Sequence, residues 1–154
     1  MIAKSPAAAL AMTSLIALTL PWLLSLFHLV GPVPLDLGLQ GSQLRPCTSP
    51  AHCAERVWSV EDTAIAMAVL KQALLVSPRT TVITDDPERS YLHATASTPL
   101  MGFVDDLELH VDQTNSRIEA RSESRLGESD LGVNGQRLNA LERALKDARM
   151  PARA

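Results

Sequence analysis

The side chains best equipped for chemistry fall in two stretches, Gly102-Phe-Val-Asp-Asp-Leu-Glu108 and Arg121-Ser-Glu-Ser-Arg-Leu-Gly-Glu-Ser-Asp-Leu-Gly-Val-Asn134, with Arg137 just beyond. Arg121, Arg125 and Arg137 offer guanidinium groups, which with a helix N-terminus would hold a small anion. Asp105 with nearby Ser122, Ser124 or a histidine would instead suit a hydrolase, where a carboxylate orients or activates a nucleophile. A third possibility is an internal network, because buried polar groups need partners and arginines near carboxylates are often simply paired. The candidate set is therefore Asp105, Arg121, Ser122, Ser124, Arg125, Asp130, Asn134 and Arg137, with no residue assigned a catalytic role.

Sharper motifs fail on their own terms. Gly127-Glu-Ser-Asp130 lacks the second glycine of a nucleophile elbow, since Leu131 stands in its place. Asp105 and Asp106 are neighbours on an expected strand, so they point to opposite faces and cannot chelate one metal together. No pattern asks for a metal or another cofactor. His93 and His110 are expected on an outer face without a ligand role.

The elements that must carry these residues follow from periodicity. A helix is expected from about Ser59, with Ile65, Ala68, Val69, Gln72, Ala73 and Val76 as its apolar stripe and Pro78 limiting its end. Thr80–Thr84 reads as a short β-branched strand and Ser90–Ser97 as an alternating one. Phe103–Asp112 and Arg117–Ser124 alternate again across a four-residue polar turn, which is a hairpin signal. Val133–Met150 is an amphipathic helix with Leu138, Leu141 and Leu145 on one side. The expected fold is α+β: a two-layer sandwich of a four-stranded antiparallel sheet with two helices, preceded by one transmembrane helix.

One hairpin register satisfies both faces. Pairing Asp112 with Arg117 sets Val111 opposite Ile118, Leu109 opposite Ala120 and Leu107 opposite Ser122 on the inner side. On the other side it sets His110 opposite Glu119 and Glu108 opposite Arg121, with Asp106 diagonal to Arg125. These outer pairs are expected to form a solvated ladder worth under ~1 kcal/mol each. The inner face turns polar at one end, at Asp105, Ser122 and Ser124, where Asn134 or Arg137 should meet them.

The N-terminal part sets location. Ala7 to Val30 carries no Asp, Glu, Lys or Arg. As a helix of about 24 residues it would reach ~36 Å, enough for a hydrocarbon core of about 30 Å. A cleaved signal segment would have a shorter apolar region and a small-x-small site, so an uncleaved anchor over residues 1–30 is preferred. Lys4 before the span puts the N-terminus in the cytoplasm and the rest outside, in the periplasm if the cell is Gram-negative. Residues 31–43 read as a linker and 44–150 as the exported domain. Cys47 and Cys53, alone in the chain and separated by a Pro-containing loop, read as a disulfide formed in an oxidising compartment. The formal net charge of −3 argues against nucleic acid as a partner.

Leu44-Arg-Pro-Cys-Thr-Ser-Pro-Ala-His-Cys53, Tyr91-Leu-His93, Gly102-Phe-Val-Asp-Asp106 and the Arg121–Asn134 stretch with Arg137 resemble the domain-of-unknown-function 1499 family over nearly all of Leu44 to Leu145. The resemblance implies an exported or membrane-anchored protein and brings no agreed activity. Where family members read Pro-Asn-Cys-Val-Ser-Ser, this chain has Pro-Ala-His-Cys-Ala-Glu, with His52 in place of Asn. The functional expectation is a non-enzymatic, membrane-anchored envelope protein that binds a protein partner or small anionic ligand through its Arg/Asp/Asn cluster. The alternatives are a hydrolase using Asp105 with nearby Ser or His, and a purely structural or assembly factor.

Overall fold

The computed structural model of the chain describes residues 30–99 and 101–148. The expected span over Ala7 to Val30 lies almost wholly outside them. Among the described residues no helix is long and apolar enough to cross a membrane.

Five antiparallel strands form the main sheet: β3 (Cys53–Ser59), β4 (Thr80–Asp86), β5 (Tyr91–Ser97), β6 (Val104–Asp112) and β7 (Arg117–Ser124). Their order is β3-β7-β6-β5-β4. Helices α1 (Thr63–Val76) and α2 (Val133–Ala148) cover its inner face. A two-stranded hairpin, β1 (Leu39–Gln40) and β2 (Gln43–Leu44), lies against the outer face over β6 and β7. The α+β class and the two helices stand, but the sheet has five strands rather than four. The additional strand is β3, a segment to which the residue pattern assigns no element. Its alternation is masked because Arg56 sits opposite Ala120 on the inner face while exposed Val57 sits opposite Glu119 on the outer one. Arg56 escapes the core by reaching Asn139 on α2 at 3.2 Å.

The β6–β7 register is the one the residue pattern demands, from Asp112 with Arg117 to Leu107 with Ser122. A slip by one residue would exchange the two faces, burying charge in the leucine core. Leu92, Ala94, Leu107, Leu109, Ile118 and Ala120 form the inner sheet surface, packed under Leu70, Leu74, Leu138, Leu141 and Leu145 from the helices. The three leucines expected on α2 are the ones buried.

α1 departs from expectation in start and in phase. Asp62, not Ser59, caps it, accepting from the backbone N–H groups of Ala64 and Ile65 at 2.9 Å. Ala66, Leu70 and Leu74 face the core, whereas Ile65 and Val76 of the expected stripe are 64% and 71% exposed. The physical reason is that Lys71 is the one charged residue in the helix, so both faces are apolar and periodicity cannot choose between them. Part of the expected linker also folds. Leu39 pairs with Leu44 and Gln40 with Gln43, turning the segment into an arm across the sheet.

The phase of α1 has a direct check in urea unfolding. Leu70→Ala should cost about 2–5 kcal/mol through the cavity it leaves. Ile65→Ala should stay within about 0.5 kcal/mol; the reverse ranking would contradict the buried face described above.

Candidate functional site

Strand alternation at one end of β6 and β7 turns Asp105, Ser122 and Ser124 toward the first turns of α2. The Ser124 hydroxyl donates to Asp105 Oδ1 at 2.6 Å, and Asn134 Nδ2 donates to Ser124 Oγ at 2.9 Å. Ser122 donates to Asn134 Oδ1 at 2.6 Å. Arg137 closes the circuit, giving Nη1 to Ser122 Oγ and Asn134 Oδ1 at 2.9 and 2.7 Å, and Nη2 to Asp105 Oδ2 at 2.7 Å. Each hydroxyl in the circuit both gives and accepts. Asn134 is fully buried and also donates to the His52 carbonyl at 3.0 Å.

Asp130 shapes the entry to α2. Its carboxylate accepts from the backbone N–H groups of Gly132 and Asn134, both at 2.8 Å. Burial alone would raise its pKa, but these amide donors outweigh that and hold it below the ordinary carboxylate value. Its own N–H donates to Ala51 O at 2.9 Å. The Cys47–Cys53 disulfide is present and closes the loop that supplies the Ala51 and His52 carbonyls.

Arg121 and Arg125 do not join this cluster. They lie on the outer face, where the expected solvated ladder is instead buried: Arg121 is 2% and Glu108 1% exposed. The arm is the reason. Glu108 accepts from Arg121 at 2.8 Å, from the Tyr91 hydroxyl at 2.7 Å and from the arm's Gly38 N–H at 2.6 Å. Arg121 reaches Asp36 of the arm at 3.3 Å and pairs with Glu123. Leu44 N–H donates to Glu119 at 3.0 Å. Arg125 makes a two-point pair with Asp106, both bonds 2.8 Å, and His93 lies 2.8 Å from the same carboxylate. His93 and His110 are on the outer face as expected, but both are buried, each with a ring nitrogen beside a carboxylate, of Asp106 and Glu119 respectively.

The electrostatics follow from this packing. Burial would raise the Asp106 pKa, yet hydrogen bonds from Arg125 and His93 keep it below its ordinary value. Burial and then Glu108 push the Tyr91 phenol far up, so it remains a donor. Sequence reasoning missed Asp106, Glu108 and His93 as buried polar residues, and the partly buried Tyr91, Asp36 and Glu123 as partners of Glu108 or Arg121. The signal available was Asp36, a lone charge in an otherwise uncharged Gly/Pro/Leu segment. The three candidate arginines thus do not converge on one anion, and each already holds a carboxylate.

Above the inner circuit, the loops after β5 and β7 line an open cavity of about 310 Å³. Asp105, Ser124 and Asp130 contribute to its lining, beside Met101, Phe103, Leu126 and Leu131. Residues 39–145 match a family model described as "Protein of unknown function (DUF1499)". No curated protein matches the chain.

Two measurements follow from the paired charges. Arg121→Ala strands Glu108 without its cation and should destabilise the protein by about 3–5 kcal/mol in urea unfolding, far more than a surface pair would. The depressed folded pKa of Asp106 gives stability that is complete above its unfolded value near 4 and lost as pH falls through the folded one. Thermal melts should therefore decline below about pH 4, and Asp106→Asn should flatten that slope; an unchanged slope would show that other groups carry it.

Proposed function

The chain belongs to the DUF1499 family, and we propose that it is a non-enzymatic, membrane-anchored envelope protein whose exported domain acts by binding. The observation that carries this reading is the occupied circuit of Asp105, Ser122, Ser124, Asn134 and Arg137. Its hydroxyls are committed to neighbours, and the nearest carboxylate is tied to an arginine, which suits a clamp rather than a nucleophile with its base. The clamp fixes the start of α2 and the loops around the cavity, so those loops are the surface offered to a partner. An anionic ligand is the weaker form of the reading, since it would have to displace a buried carboxylate from Arg125 or Arg137. The apolar run from Ala7 to Val30 supports the anchor, and the disulfide supports an oxidising compartment.

Two tests separate this from its rivals. A reporter that folds only in an oxidising compartment, fused after Ala154, should be active. Activity confined to a cytoplasm-restricted reporter would reverse the topology. A serine-directed fluorophosphonate probe should leave the full-length protein unlabelled, whereas labelling abolished by Ser122→Ala or Ser124→Ala would establish the hydrolase reading instead.

A further inference from the structure

The loops around the cavity are not evenly distributed over the domain. The β5–β6 and β7–α2 connections and the disulfide loop lie at one end of the sheet. The β4–β5 and β6–β7 turns, with Pro87, Glu88 and Arg89 in one and Gln113, Thr114 and Asn115 in the other, lie at the opposite end. At the first end Leu131 is 88% exposed and Met101 39%. Leu131 sits at φ 53°, a left-handed conformation that glycine or asparagine adopts more cheaply than leucine. A leucine held outward in that way contributes nothing to the core.

The N-terminal side of the chain arrives at this same end. Gly31 (φ 61°) packs so closely that a Cβ there would lie 2.8 Å from Leu126 Cγ and 2.9 Å from Arg125 Cβ. Leu126 lines the cavity with Met101 and Leu131. Val30, 45% exposed, precedes Gly31 and is the last residue of the uncharged apolar run. An anchor ending at Val30 therefore leaves the bilayer beside these loops.

We propose that this end of the domain is seated on the lipid bilayer, with Met101, Leu126 and Leu131 entering its interfacial layer next to the anchor. The proposal rests on the membrane-anchored reading and names the surface that the loops contact. Exposed apolar clusters of this kind mark partner or membrane sites. The charges near this end are Glu128, Asp130, an Arg125 already held by Asp106, and exposed Arg79, whose Nε donates to Ser97 O at 3.2 Å; with acids and a base both present, the apolar side chains and not a net attraction to anionic lipid define the contact.

The experiment uses the full-length protein in phosphatidylcholine nanodiscs. An environment-sensitive fluorophore is placed at Leu131→Cys or Met101→Cys, with Glu88→Cys at the opposite end as reference. The label at 131 and 101 should be quenched several-fold more by a headgroup-depth lipid spin label than at 88, and less by aqueous iodide. Adding phosphatidylserine should leave the pattern unchanged. Iodide access at 131 and 101 equal to that at 88 would overturn the seating. So would shielding from both quenchers, which would mean that protein fills the cavity. Alkaline carbonate washing separates the two levels of the argument. Protein that leaves the membrane there refutes the anchor and the seating with it, whereas retained protein with iodide-accessible labels refutes the seating alone.

Discussion

Strand β6 carries carboxylates on both faces of a sheet that is covered on both faces, and the rest of the structure answers that constraint. Asp105 points inward while Asp106 and Glu108 point outward, and all three are buried. An unpaired buried carboxylate costs several kcal/mol, so each must meet a cation or several donors. The inward one is met by Arg137 and Ser124, which brings the helix with it. The outward ones are met by Arg125, Arg121, Tyr91 and a backbone amide of the arm. The polar residues therefore decide where α2 and the arm dock, while the leucines supply most of the burial energy.

This division explains how the densest sequence motif comes to serve two separate networks. Its members alternate between two networks separated by the thickness of the sheet. Arg121 and Ser122 are adjacent in sequence yet serve different layers, and so do Asp105 and Asp106. The motif is dense because two interfaces are built from the same pair of strands. Replacing a buried pair by apolar groups of equal volume is often neutral in stability, so the networks are better understood as fixing geometry.

Much of this was legible beforehand wherever two independent patterns agreed. The hairpin register was readable because hydrophobic alternation and charge pairing required the same alignment. The inner cluster was readable because polar residues interrupted the apolar face just where a helix began. α1 was legible as a helix but not in phase, since its two sides are equally apolar. β3 was hidden by Arg56 pointing inward. The burial of Glu108 and Arg121 could not be read from their strands at all, because what covers them is a distant arm whose Gly38 and Leu44 donate through backbone amides. Backbone donors leave no trace in side-chain composition.

The disulfide has a mechanical meaning that its modest loop entropy does not suggest. A pull on the chain at Val30 would load the packing of Gly31 on Leu126 and Arg125 and then the arm, through Asp36–Arg121, Gly38–Glu108 and Leu44–Glu119, contacts that can peel one after another. The peeling stops at Cys47. From there tension passes through the sulfur bridge directly into Cys53 and β3, bypassing residues 48–52. Those bypassed residues hold the carbonyls that receive Asp130 and Asn134. The bridge is thus a shunt for force: tension from a stripped outer layer enters β3 without first straightening the loop that holds the Ala51 and His52 carbonyls.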